Sequence, residues 1–153
     1  MCSEAFYPHI GEKITDLIYG QNAEEKILAQ TNITQPVVFT LDYSLGRLLM
    51  DLGVKPACVL GHSVGEWAAA CIAGVVELKA AAKIVSARGK LMNDLKIPGA
   101  MAAVFVTGDK LEALIKNFNK EVWIAAYNGN HQVISGAAES VDEFIGILEK
   151  NNI

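Results

Sequence analysis

A serine between two glycines, at the junction of two differently patterned segments, constrains this chain more than any other feature. Residues 57–60 (ACVL) are a brief apolar run that predicts a buried parallel strand, and residues 64–72 are Ala-rich and predict a helix that Gly74 ends. Gly61-His62-Ser63-Val64-Gly65 stands between them and has the G-x-S-x-G pattern of a nucleophile elbow. Such a sharp turn holds the serine in strained backbone geometry, and only small flanking residues let the chain close around it.

The elbow geometry gives Ser63 a chemical use. The turn lifts its hydroxyl clear of the sheet and aims the N–H of Val64, at a helix N-terminus, towards the oxygen of a bound acyl group. The helix dipole and this donor both favour an oxyanion, and one such donor contributes on the order of a hundredfold in rate. A glycine-flanked turn with a helix-capping serine remains the alternative.

A serine nucleophile needs a general base, and the three histidines are poor candidates. His62 adjoins Ser63 in the strained turn and cannot easily fold back to take its proton. His9 lies on a predicted amphipathic helix, where a surface or packing role is usual, and His131 begins a predicted strand after a turn, where a solvated histidine is usual. We therefore expect the base to lie outside this chain and treat the chain as a fragment.

Arg88 is the second candidate functional residue. On the predicted helix 77–95 it shares a face with Met92, beside apolar side chains. An arginine that extends along an apolar surface into solvent is one interpretation. The other is a guanidinium that binds a carboxylate through two parallel hydrogen bonds, which lysine cannot match.

The remaining pattern divides the chain at Pro98-Gly99. Before it, helices are expected over 4–19, from a capping box at Asn22 to about 30, and from Pro36 to 52, with a polar break over 31–35. After it, the order is strand 100–107, helix 109–118, strand 122–127, strand 131–136 and helix 139–150, with a hairpin turn at Asn128-Gly129. This β-α-β-β-α order is ferredoxin-like without its last strand.

Composition excludes several other classes. Hydrophobic residues make up 52% and charged residues 20% of the 153 residues, and the net charge is −4 without a basic block, so nucleic acid is an improbable partner. Three cysteines without a C-x-x-C pair indicate free thiols rather than a disulfide framework, and the histidines lack ligand-like spacing, so we expect no metal. No apolar run is long enough to span a membrane, and a cytoplasmic location is the expectation.

Five sequence blocks together resemble the acyltransferase family of fatty-acid and polyketide synthesis, which includes the malonyl-CoA:acyl carrier protein transacylases. Residues 61–66 match its G-H-S-x-G-E signature in full. The other blocks occur in family order from residue 31 to residue 136: 31–36 (TNITQP), 86–92 (SARGKLM), 98–104 (PGAMAAV), and the pair 124–129 (IAAYNG) and 133–136 (VISG).

The resemblance implies a fold and a reaction. The fold is α/β, with part of an α/β-hydrolase-like core over 1–97 and a truncated ferredoxin-like subdomain over 98–153. Ser63 would take a malonyl-type group from coenzyme A and pass it to the phosphopantetheine thiol of an acyl carrier protein, without a further cofactor. Neighbouring synthase domains are further expected partners.

The same resemblance implies roles for individual residues. Arg88 stands at the carboxylate-binding position, so we expect it to lie about the length of a three-carbon diacid from Ser63. Four further residues are expected to bind substrate: Val64, at the position that varies with substrate, His62, Met92 and Asn128.

Two family features have no counterpart in the chain: the Gly-Gln-Gly segment would precede residue 1, and the catalytic histidine would follow residue 153. Two alternatives therefore remain open, a serine hydrolase or thioesterase with the same elbow and a catalytically inert fragment that docks carrier protein or a synthase domain. Arg88 and the subdomain over 100–136 favour the transferase, since hydrolases need neither.

Overall fold

The computed structural model describes residues 1–20 and 25–153, which form two compact units, Met1–Leu95 and Lys96–Ile153. The first unit is helical in its described residues: α1 Cys2–Ile10, α2 Ile14–Tyr19, α3 Glu25–Leu28, α4 Thr31–Asp51, α5 Gly65–Ile72 and α6 Leu78–Asn93. The second contains β1 Gly99–Val104, α7 Gly108–Lys116, β2 Val122–Tyr127, β3 Gln132–Ala137 and α8 Ala138–Lys150.

The core of the first unit lies between α1, α4 and α6. Phe6 of α1 and Phe39 of α4 are fully buried and meet edge to face, with ring centroids 5.4 Å apart. Helix α6 presents Ala81, Ala82 and Val85 to the same core. At Gly89 a Cβ would lie 3.0 Å from Cα of Asn32, so only glycine lets α6 approach the start of α4 this closely.

Two helix boundaries differ from the sequence predictions. The helix expected over 4–19 is two helices, because Gly11 has φ 76° and ends α1 with its N–H on the carbonyl of Tyr7. The break expected over 31–35 is wrong, because α4 begins at Thr31 and includes Pro36. Burial of Ile33, Gln35, Pro36 and Val37 in the first turns of α4 outweighs the one backbone hydrogen bond that the proline removes. The capping box at Asn22 lies outside the described residues.

The buried parallel strand expected over 57–60 is not formed. The segment is irregular and exposed, and the Leu60 side chain is 95% accessible. A strand requires a neighbour that accepts and donates its ladder hydrogen bonds, and no strand occurs in the described part of Met1–Leu95. The apolar composition alone therefore could not produce a strand in this chain.

The second unit is an antiparallel three-stranded sheet in the order β1-β3-β2. The predicted hairpin is confirmed: Gly129 has φ 76°, and the N–H of Asn128 donates to the carbonyl of His131 at 3.1 Å. Side chains alternate along the strands, and one face contributes to a core with α7 and α8 that centres on Ile134, Leu111 and Phe144. The first strand ends at Val104, three residues earlier than predicted.

Candidate active site

The loop before α5 forms a strained turn at Ser63. This residue has φ 53°, in the left-handed region that non-glycine residues occupy at a cost of about 1–3 kcal/mol. Two successive backbone hydrogen bonds close the turn. The N–H of Gly65 donates to the carbonyl of His62 at 3.0 Å, and the N–H of Glu66 donates to the carbonyl of Ser63 at 3.2 Å. The expected elbow turn into a helix is therefore present, although the strand before it is not.

The two flanking glycines are not equivalent. A Cβ on Gly61 would overlap the backbone N of Glu66 and the carbonyl of Gly65, so no side chain fits there. At Gly65 a Cβ would meet only Oδ2 of Asp42, at an ordinary 3.5 Å. The tight turn thus requires the first glycine of the motif far more than the second.

The backbone N–H of Val64 is available to a ligand. Val64 has helical φ and ψ at the N-terminus of α5, and no group within residues 1–20 and 25–153 accepts its N–H. A free donor at a helix N-terminus, one residue after an exposed hydroxyl, can stabilise negative charge on a carbonyl oxygen attacked by that hydroxyl.

Arg88 lies directly on Ser63. Its Nη2 donates to Oγ of Ser63 at 3.2 Å, and its Nη1 donates to Oε1 of Gln35. The guanidinium is half-buried, so it does not extend freely into solvent as the alternative interpretation required. The expected gap of a three-carbon diacid is wrong, because the two side chains are in hydrogen-bond contact.

Gln35 is a part of this cluster that sequence analysis missed. Its side chain is 6% exposed, and its Nε2 faces Sδ of Met92 at 3.2 Å. Through Gln35 the structure brings Met92 together with Arg88 and Ser63. The available signal was a polar residue on the apolar face of α4, within the 31–36 block that had served only to mark the resemblance.

The other residues predicted to bind substrate have different surroundings. His62 is exposed and adjoins a cavity of about 540 Å³ along α4 and α5, which Leu49, Val59 and Ile72 also line. Asn128 lies in the second unit, in the turn between β2 and β3, where its Nδ2 is 3.3 Å from Nε2 of His131.

None of the described hydrogen bonds joins a histidine to Ser63. His9 is exposed in the last turn of α1, and His131 packs on the ring of Phe105 at 5.6 Å between centroids. Nor do the described residues hold three His, Cys, Asp or Glu side chains close enough to bind a metal ion. No helix in the described ranges is long and apolar enough to cross a membrane.

The thiols lie apart from this cluster. Cys58 is exposed in the irregular segment before the elbow, whereas Cys2 is buried beside Ser44. Burial raises the pKa of the Cys2 thiol, and burial followed by the nearby Cys2 raises the pKa of the Cys71 thiol. These two groups are protonated at neutral pH and are poor nucleophiles.

A serine in a strained turn at a helix N-terminus, with a free backbone donor and an arginine on its hydroxyl, defines a site suited to acyl-group chemistry in a protein of mixed helix and strand content. Comparison with known proteins gives the family. The model of the acyl transferase domain matches residues 1–153, and the chain belongs to that family.

Known relatives place the family in polyketide synthesis. The chain is 37% identical over 149 residues to erythronolide synthase EryA2 of Saccharopolyspora erythraea, which covers 97% of the chain and 4% of that protein. The acyltransferase domain from the second module of the salinomycin polyketide synthase superposes with a TM-score of 0.88 at 39% identity, over 99% of the chain and 35% of that structure.

A second solved structure contains a carrier protein. It is a type II polyketide synthase acyl-carrier protein in complex with its malonyl-transacylase, matched with a TM-score of 0.83 at 27% identity over 94% of the chain and 48% of that structure. The chain thus spans a small part of the synthases and less than half of each of these structures.

Proposed function

We propose that this chain is the nucleophile-bearing part of an acyltransferase that moves a malonyl-type group from coenzyme A to an acyl carrier protein. The observation that carries the proposal is the contact between Arg88 and Ser63, a cationic fork on the hydroxyl of a strained turn. An acyl group on Ser63 that ends in a free carboxylate would find a partner for that charge within reach. Membership of the acyl transferase family supports the same assignment.

In the first half-reaction Oγ of Ser63 bonds to the thioester carbonyl carbon and the carbon–sulfur bond breaks. The hydroxyl proton passes through a base to the leaving coenzyme A thiol, and the N–H of Val64 stabilises the oxyanion. In the second, the carrier's phosphopantetheine thiol attacks the ester carbon, a new thioester forms, and Ser63 leaves and regains its proton. A histidine elsewhere in the longer protein supplies the base.

In the malonyl complex, the carboxylate replaces the Ser63 hydroxyl as the partner of Nη2. Nη2 is released from Oγ when the acyl group occupies that atom, and Nη1 keeps its contact with Gln35. Met92, the exposed His62 and the partly buried Val64 border the space that this acyl group enters. Asn128 we retain as a substrate contact on the strength of the family resemblance alone.

The remaining architecture follows the same proposal. The first unit is part of an α/β-hydrolase-like core, in which 57–60 becomes a strand once neighbouring strands of the longer protein pair with it. The second unit is ferredoxin-like, since its order β1-β3-β2 leaves an edge of β1 open to a fourth strand. Carrier protein and adjacent synthase domains are the partners, and the location is cytoplasmic.

Intact-mass measurement tests the proposal in the longer protein that contains this chain. After incubation with malonyl-CoA, the wild type should gain the mass of one malonyl group that peptide mapping assigns to Ser63, and Ser63→Ala should gain none. Cys58→Ala serves as the control, because an exposed thiol is the competing acceptor. Loss of the adduct in Cys58→Ala but not in Ser63→Ala would overturn the proposal.

Carrier protein then separates transferase from hydrolase. A transferase should lose its Ser63 adduct rapidly when the carrier's phosphopantetheine form is added and slowly in buffer. Rapid loss at equal rates with and without carrier would assign the chain to the hydrolases.

A further inference from the structure

Gln35 is one of three buried polar side chains in the described residues, and it alone contacts Arg88. A guanidinium only donates and a thioether sulfur only accepts, so Oε1 must face Arg88 and Nε2 must face Met92. The two partners therefore leave a single orientation for the amide. This is a specific arrangement, in contrast to a glutamine that merely fills space.

The backbone holds this contact in place. Gly89, next to Arg88, lies against Cα of Asn32 and the carbonyl of Thr31, which are 3.0 and 3.1 Å from the position of a Cβ. Helix α6 is thus seated on the first turn of α4, four residues before Gln35. Pro36, also buried, follows Gln35 directly and stiffens that stretch of α4.

The chemistry of the partner decides what Arg88 can do. A carboxylate at position 35 would orient the guanidinium equally well, but it would also neutralise it. The neutral amide oxygen fixes Nη1 and leaves the positive charge uncompensated, with Nη2 directed at Ser63. No carboxylate among the described residues pairs with this half-buried charge, so a carboxylate of the substrate is favoured there.

We propose that Gln35 is a positioning and specificity-determining residue: it orients Arg88 without neutralising it and so reserves the arginine for the acyl group's free carboxylate. This inference rests on the proposed function. Arg88 binds the carboxylate of a dicarboxylic acyl group, and the amide of Gln35 on α4 keeps Arg88 oriented and charged for that contact.

Gln35→Glu is the decisive variant, because it changes one amide to a carboxylate of the same size. Measured in the longer protein by rapid-quench acylation of Ser63, it should raise the KM for malonyl-CoA and lower kcat/KM about tenfold to a hundredfold. Acetyl-CoA kinetics should stay within about twofold of the wild type, because an acetyl group has no use for the charge. A purely structural role would instead lower kcat for both donors.

Gln30→Glu is the matched control, since it places the same charge at the start of α4 on an exposed side chain. It should leave the malonyl-to-acetyl ratio unchanged. Gln35→Met keeps a similar volume and removes both amide contacts, the acceptor for Arg88 and the donor to Met92, without adding a charge. It should therefore lower malonyl kcat/KM less than Gln35→Glu. If Gln35→Glu does not fold, as judged by circular dichroism, the malonyl-to-acetyl ratio of kcat/KM in Gln35→Met tests the proposal: a lowered ratio supports it and a wild-type ratio overturns it.

Arg88→Ala, measured alongside, separates the two proposals. Suppose that Arg88→Ala loses malonyl transfer selectively. If Gln35→Glu then keeps the wild-type malonyl-to-acetyl ratio, or loses transfer from malonyl-CoA and acetyl-CoA equally, only the role of Gln35 is overturned. If Arg88→Ala shows no selective loss of malonyl transfer, the proposed function and this inference are both overturned.

Discussion

Replacing Arg88 tests the assignment of a dicarboxylic substrate most directly. The side chain makes two contacts, one with Oγ of Ser63 and one with Oε1 of Gln35, from a half-buried position. Arg88→Ala removes the cation that a malonyl carboxylate would meet and leaves Ser63 itself in place. The Ser63 hydroxyl also loses the hydrogen bond from Nη2, but an acyl group on Oγ would displace that bond in any case.

The magnitude follows from the kind of bond that is lost. A hydrogen-bonded pair of guanidinium and carboxylate in a partly dry site contributes roughly 1.5–3 kcal/mol. At about 1.4 kcal/mol per factor of ten, malonyl-CoA should lose about tenfold to a hundredfold in kcat/KM. Acetyl transfer should be unchanged or improved, because an acetyl group never used the contact. Arg88→Lys should recover only part of the loss, since an ammonium lacks the planar fork.

Stability must be followed in the same variants. Arg88→Ala leaves Oε1 of Gln35 buried without a donor, which costs about 1–3 kcal/mol. Thermal unfolding will report that loss of stability. The loss affects the reactions with malonyl-CoA and acetyl-CoA alike, so it cancels in the malonyl-to-acetyl ratio of kcat/KM. Arg47→Ala is the control, because Arg47 forms an exposed pair with Asp51 on α4 at 3.6 Å. Equal losses for malonyl-CoA and acetyl-CoA in Arg88→Ala would refute the carboxylate role and make the arginine structural.

Two further predictions concern the elbow turn and the thiols. Gly61→Ala should nearly abolish acylation of the elbow serine, whereas Gly65→Ala should retain most of it, because a Cβ fits only at the second position; comparable initial rates in the two variants would contradict the turn geometry. In this chain, iodoacetamide near pH 7 should alkylate exposed Cys58 first. Cys2 and Cys71 should react only as the pH rises above the ordinary thiol range of about 8–9. Their raised pKa values leave a smaller thiolate fraction than an ordinary thiol has at the same pH. Mass spectrometry of the labelled peptides will show the order, and early labelling of Cys2 would exclude its burial. In the longer protein Cys58 should become protected if 57–60 pairs as a strand.

Local pattern was sufficient for most elements of the second unit. Strand β2 has the predicted bounds, and the predicted hairpin forms because Gly129 adopts the positive φ that a tight turn needs. Pattern failed where a non-local term decided. The break expected before Pro36 assumed that a proline must stand in the first turn, but burial of Ile33 and Gln35 extends α4 to Thr31.

The run at 57–60 shows the opposite failure. Its apolar composition correctly indicates a segment that can be buried in a sheet, but hydrogen-bonded neighbours make a strand, and the described part of the first unit has none. A sequence pattern reports the preference of a segment. It does not report whether a partner is present to satisfy it.

The sequence by itself determined the elbow serine and the turn that holds it, because these depend on residues adjacent in the chain: Gly61, whose missing side chain permits the turn, Ser63, and the helix that follows. Only the tertiary structure decided what lies against that serine. Arg88 is 25 residues away and Gln35 is 53 residues from Arg88, and they meet because α6 packs on α4 at Gly89. Contacts over such distances follow from the packing of helices, which periodicity within one helix does not encode.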